Sequence, residues 1–207
     1  METKTNALDP QRSLELIADM VANSRRRLER HIGTPLLVWG SIITVTTLVV
    51  WGLLSATGNP LWNLLWLAIP VIGWPLDTLT RRRYDAEPTA RTWFDGILSG
   101  LWRLFGGVAI GLGCIAIALP LLDITTPILP IVPLLILLLG FTNAATGLLL
   151  RNRPVLVIGI LTAIPGAAGA FAIAGYDVLL LFAGIAVLNV IVPGWLLNRR
   201  ARKGKQA

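Results

Sequence analysis

The chain has one cysteine and one histidine in 207 residues. Cys114 alone can form no disulfide within the chain and no cysteine-based metal site. His31 has no second histidine to work with and lies outside the apolar segments. No serine–histidine pairing and no pair of acids falls inside those segments, so a membrane hydrolase or metalloenzyme has no machinery here. The sequence therefore offers no catalytic residue, no metal ligand and no cofactor site, and it is not expected to be an enzyme. Acid is scarce as well, with 11 Asp and Glu against 18 Lys and Arg. Proton-coupled carriers and ion pumps usually bury an Asp, Glu or His within the membrane; the apolar segments of this chain hold none at depth. The first 34 residues contain no apolar run, so no cleavable signal peptide is expected and the first apolar segment acts as its own insertion signal.

Hydrophobic residues make up 55% of the chain, and the mean hydropathy is +0.71. That is too apolar for a soluble domain of this size. Six apolar stretches can be drawn, at 35–56, 61–79, 96–121, 126–150, 154–175 and 178–198. Lys and Arg occur before the first, between the second and third, between the fourth and fifth, and after the sixth. Arg103 sits just inside the third, and the gaps after the first, third and fifth hold no basic residue. This one-sided bias is the positive-inside pattern. It predicts an all-α polytopic membrane protein of six transmembrane helices, preceded by an N-terminal cytoplasmic amphipathic helix. The expected divisions are 1–33 for that helix, 34–198 for the membrane domain and 199–207 for a basic cytoplasmic tail. The expected location is a bacterial inner membrane, with both termini cytoplasmic. A pI near 10.7 follows from topology alone, so no nucleic-acid partner is expected.

Polar–proline pairs mark helix starts at Asp9-Pro10, Thr34-Pro35, Asn59-Pro60, Glu87-Pro88 and Thr126-Pro127. The residue before proline is pushed out of the α region, and proline at the first helical position loses no hydrogen bond. Asp177 is a candidate cap for the sixth helix. Pro70 and Pro165 fall mid-segment in helices two and five and predict kinks. They share the Ala-Ile-Pro stretch of 67–70 and 162–165, which admits an inverted repeat of two three-helix halves, a transporter pattern.

Before the membrane, residues 10–32 space Leu14, Ile17, Val21 and Leu28 on a narrow helical stripe. That stripe suits the bilayer surface or a partner protein. Arg25, Arg26, Arg27 and Arg30 in this helix, and Arg81, Arg82 and Arg83 after the second segment, are the candidate contacts with lipid headgroups or a partner. The eight Trp residues sit mostly near segment ends, as an aromatic belt. Gly96–Gly100 and Gly107–Gly111 are GxxxG pairs on the third helix, and Gly166, Ala167, Gly169 and Ala170 crowd the fifth. Such residues allow close helix packing, within one chain or between copies; the oligomeric state is left open.

Uncharged polar residues do reach the interior: Thr142, Asn143 and Thr146 in the fourth segment and Asn189 in the sixth. Asn143 lies eight residues before Arg151 and Asn189 ten before Arg199, so both sit at similar depth in the cytoplasmic half. They can bond across helices as polar glue, or line a substrate path.

The stretch Gly33-Thr-Pro-Leu-Leu-Val-Trp-Gly40 follows an Arg-rich amphipathic helix. With Trp62-Asn-Leu-Leu-Trp66, Ile69-Pro-Val-Ile-Gly-Trp-Pro75 and Val192-Pro-Gly-Trp-Leu-Leu-Asn198, it resembles a group of small, uncharacterised six-helix bacterial inner-membrane proteins. Some of these are encoded beside winged-helix regulators. In that group a polar residue, often His, stands where this chain has Trp195. The resemblance implies six spans and a regulatory or accessory role, and it transfers no ligand or catalytic residue. The leading expectation is an accessory protein whose cytoplasmic basic face meets lipid or a protein partner. The alternative is a small-solute facilitator with a polar site near mid-bilayer. A water-filled cavity at that depth would favour the second, and a dry centre the first.

Overall fold

A computed structural model describes residues 10–84, 93–121 and 130–203. Every regular element among them is helical. The helices are α1 (Pro10–Thr57), α2 (Ala68–Tyr84), α3 (Trp93–Leu121), α4 (Ile131–Leu149), α5 (Arg153–Ala172), α6 (Val178–Ala186) and α7 (Val192–Lys203). A 3₁₀ helix, Pro60–Leu67, precedes α2; a π-helical turn, Val187–Ile191, joins α6 to α7. Five stretches are long and apolar enough to cross a bilayer: Ile32–Thr57, Gly96–Ala118, Ile131–Leu149, Arg153–Ala172 and Gly175–Arg200. This is the build of a membrane-embedded helical protein.

The Thr34-Pro35 pair does not start a helix. Instead α1 runs unbroken for 48 residues, with Pro35 inside it. Proline there removes one backbone bond and crowds the preceding turn. Packing on α7 offsets that loss. A side chain on Gly33 would sit 2.6 Å from the Asn198 amide oxygen, and one on Gly40 2.8 Å from Ile191. Leu36, between them, is buried. The segment 10–32 is thus helical, as expected, and continuous with the stretch Ile32–Thr57 that is apolar enough to cross a bilayer. A helix continuous through this point cannot turn at a right angle, so 10–31 extends away from the bundle.

Pro70 is a second departure from expectation. It occupies the third position of α2, directly after the 3₁₀ helix, so its missing N–H belongs to the helix start and no mid-segment kink arises there. The interior proline of α2 is Pro75. Pro165 does lie inside α5, as expected. Asn59 caps the 3₁₀ helix, accepting from the Leu61 N–H at 3.0 Å. Asp177 makes no cap bond; its carboxylate accepts instead from the Trp51 indole at 3.1 Å. The starts proposed at Asp9, Glu87 and Thr126 fall on residues outside the described ones.

The α6–α7 rod is the centre of the bundle: half of its apolar window is buried, against 6% for α3. Phe182, Ile185, Ala186, Val190 and Leu197 of this rod meet Ile136 and Leu139 of α4, Ala167 and Ala170 of α5 and Leu36 of α1. Closest packing joins α4 to α5. Gly140 lies against Ala163 and the Gly159 carbonyl, Gly147 against the backbone of Val155 and Leu156, and Gly159 against Ala144. The GxxxG glycines of α3, by contrast, face open space at 96, 100, 107 and 111. Spacing alone does not say which small residues meet a neighbour.

Candidate functional site: a sealed polar network

Burying an amide or hydroxyl in an apolar interior costs free energy unless it is bonded. All four polar residues singled out by depth are buried: Thr142 is 1% exposed, and Asn143, Thr146 and Asn189 are 0% exposed. Asn143 Nδ2 donates to Asn189 Oδ1 at 3.2 Å and to the Val155 carbonyl at 3.4 Å. Asn189 Nδ2 donates to Thr162 Oγ1 at 2.6 Å and to the Ile185 carbonyl at 3.2 Å. Thr162 passes its own proton to the Ile158 carbonyl at 2.6 Å. One chain of bonds therefore links α4, the π turn and α5.

The threonines form a second arm. Thr142 and Thr146 donate to the Leu138 and Thr142 carbonyls, each at 2.8 Å. The Trp102 indole of α3 donates to Thr146 Oγ1 at 3.1 Å. This contact fastens the peripheral helix to α4. Trp102 also packs edge-on to Phe105, with ring centroids 5.6 Å apart.

Asn189 sits in the π turn. Such a turn inserts one extra residue, widens the helix locally and is found often at functional positions. Here it brings the Asn189 amide within reach of both α4 and α5. One atom of the network is unsatisfied, since Asn143 Oδ1 has no partner.

Sequence reasoning missed Trp102 and Thr162. Trp102 reads as one more belt residue. Thr162 carried a usable signal: it lies nine residues after Arg153, the same depth as Asn143 on the neighbouring helix. Among the described residues no cluster of three or more His, Cys, Asp or Glu side chains is placed to hold a metal ion. Cys114 is free and exposed.

The basic candidates are distributed differently. Arg25, Arg26, Arg27 and Arg30 lie on the N-terminal half of α1, and Arg81, Arg82 and Arg83 on the last turn of α2. Their side chains fall outside the described ones. On the described part of 10–31, Leu14, Leu16 and Met20 are 67%, 57% and 61% exposed. Arg199, at the end of α7, stacks its guanidinium 5.1 Å from the Trp195 ring. Thr34 Oγ1 donates to Asn198 Oδ1 at 3.5 Å while Gly40, further along α1, lies against Ile191, so α1 and α7 run antiparallel and their outer ends meet at one end of the bundle. No protein-family profile, curated protein or solved structure matches the chain.

Proposed function

We propose that the chain is a non-enzymatic accessory or regulatory protein of a bacterial inner membrane. It presents its basic face and the outer part of α1 to lipid or to a protein partner in the cytoplasm. The observation that carries this reading is the sealed network. Thr142, Asn143, Thr146 and Asn189 bond to one another and to backbone, and a water-sized probe reaches almost none of their surface. Polar residues lining a conduction path need water or solute beside them; residues used as glue need each other. The exposed Leu14, Leu16 and Met20 support the same reading, because apolar side chains on a helix clear of the bundle gain from being covered.

Parity supports six crossings. The antiparallel pairing of α1 with α7, their outer ends at one end of the bundle, fits an even number of spans better than the five apolar stretches alone. The segment 60–84 is our candidate for the sixth. Its 3₁₀ part rises about 2 Å per residue and α2 about 1.5 Å, roughly 40 Å together and enough for the hydrocarbon core. The distribution of Lys and Arg puts that shared end in the cytoplasm. Reporter fusions after Gly58 and Tyr176 should read periplasmic, and fusions after Arg83 and Arg153 cytoplasmic. A reversed neighbouring pair ends the six-span reading.

One feature favours the alternative, a small-solute facilitator: the π turn at Asn189, which places a polar side chain on a locally adaptable helix. The two readings separate in liposomes. Full-length protein should leave glycerol and urea permeation at the lipid background in a light-scattering assay. Protein-dependent flux that Asn189→Leu abolishes would establish the facilitator instead.

A further inference from the structure

The candidate crossing 60–84 opens on eight residues of 3₁₀ helix, Pro60–Leu67. Runs of this kind longer than three or four residues are uncommon, because their hydrogen bonds are poorer than those of an α-helix. Deep packing does not force this one. No residue in it is buried, and Leu61, Leu64 and Leu67, spaced one 3₁₀ turn apart, are exposed. The sequence does not ask for it either. Trp62, Leu65, Trp66 and Ile69 carry the i, i+3, i+4, i+7 spacing of an α-helical face. Trp62, Leu65 and Trp66 pack against Val50, Leu54 and Leu179.

Length supplies the reason. As a continuous α-helix the apolar stretch 61–79 would rise about 28 Å, short of a hydrocarbon core of about 30 Å. With 61–67 in the 3₁₀ form, at about 2 Å per residue, it rises about 32 Å and spans. The local chemistry permits either pitch. Pro60, at the first position, has no N–H to lose in either form. Pro70 supplies no N–H to the Trp66 or Leu67 carbonyl, so the join to α2 is one backbone bond weaker than an unbroken helix. One side chain favours the long form. Asn63 Nδ2 donates to the Pro60 carbonyl at 3.1 Å, an oxygen that an α-helix would give to the Leu64 N–H.

We propose that Pro60–Leu67 is a length-compensating segment whose pitch follows membrane thickness. It stays 3₁₀ where the core is thick and winds to α where the core is thin. Hydrophobic mismatch supplies a modest driving energy for each ångström, and the weaker bonds of the 3₁₀ form set it against the α form. Winding turns the start of the segment relative to α2 by about 20° per residue. It therefore carries Trp62 off Thr57, whose Oγ1 accepts from the indole at 2.9 Å. Bilayer thickness is thereby written into the packing at the outer end of α1. The device rests on the reading of 60–84 as a crossing.

The test uses the full chain, with Cys114 replaced by serine, in thin bilayers of dimyristoleoylphosphatidylcholine and thick ones of dierucoylphosphatidylcholine. Spin labels at exposed Leu61 and Leu79 report the rise by pulsed electron resonance. Their distance should be shorter in the thin bilayer by about 3.5 Å or more, the rise lost by seven residues. A pair at exposed Val157 and Phe171 on α5 should stay constant. Asn63→Leu removes the bond that favours the long form and should raise the share of the short distance in the thick bilayer. A Leu64 label checks the crossing separately: oxygen should reach it and a water-soluble nickel chelate should not. One Leu61–Leu79 distance in both bilayers, as a rigid helix that only tilts would give, overturns the proposal and leaves the crossing standing. A Leu64 label open to nickel in both bilayers overturns the crossing and the device together.

Discussion

Replacing Asn189 with leucine tests how the buried network holds the bundle. Leucine keeps nearly the same shape and removes three bonds: one accepted from Asn143 and two donated, to Thr162 and the Ile185 carbonyl. Hydrogen bonds between membrane helices average about 0.6 kcal/mol each, with a ceiling near 1.7. The substitution also leaves one Asn143 N–H unbonded in a dry site, beside an Asn143 Oδ1 that already lacks a partner. Together these give a loss of about 2–3 kcal/mol. Asn143→Leu should cost less, about 1 kcal/mol, because it removes that orphaned oxygen along with its bonds. The double variant should lie about 1 kcal/mol above the sum of the singles in stability, since the Asn143–Asn189 bond is then counted once. The assay is reversible unfolding of the full chain in mixed micelles with increasing dodecyl sulfate, fitted as a double-mutant cycle. Coupling below about 0.5 kcal/mol, within ordinary additivity error, would refute the claim that these amides act as a pair. So would a larger loss for Asn143→Leu than for Asn189→Leu.

Gly147→Ala should destabilise the protein by about 1–3 kcal/mol, because the new methyl meets the backbone of Leu156 rather than a movable side chain. Gly107→Ala, with open space around it, should be neutral or gain up to about 1 kcal/mol of helix propensity in the same unfolding assay. With Cys114 replaced, spin labels at exposed Leu16 and Val49 should lie about 50 Å apart by pulsed electron resonance if α1 is one rod. About 35 Å would mean that 10–31 folds over onto the bilayer. Trp51→Phe loses the bond to Asp177 at an exposed position, so thermal stability should fall by no more than about 1 kcal/mol.

What the sequence made legible has a physical boundary. Asn143 and Asn189 could be placed at one depth by counting from Arg151 and Arg199, because rise per residue in a helix is fixed. Their bond follows from that count and from the cost of leaving an amide alone. The continuity of α1 was hidden, because Thr34-Pro35 carries every local mark of a helix start. The marks were overruled by tertiary packing, with Gly33 and Gly40 closing on α7. Pro70 misled for the opposite reason: the 3₁₀ helix at Pro60–Leu67 shifts the start of α2 down the chain and turns an interior position into a first-turn one. Helix spacing likewise cannot distinguish the unfilled GxxxG faces of α3 from Gly140 and Gly147 of α4, whose partners come from another helix. The unbonded side chain of Asn152 was beyond any pattern, because it depends on where α4 ends and α5 begins within one residue.

The pairing of α1 with α7 also orders events during synthesis. The α4–α5 hairpin joins neighbours through a turn of three residues, Leu150, Arg151 and Asn152, and can close as soon as both helices are inserted. The first helix has a different schedule. Gly33, Leu36 and Gly40 meet a surface that includes Ile191, Gly194 and Asn198, residues synthesised about 150 or more positions later. Until then α1 stands in the membrane with that close-packing face against lipid. Truncation of the chain before residue 190 should therefore leave its first helix unclasped, its close-packing face held against lipid as the mark of an unfinished protein.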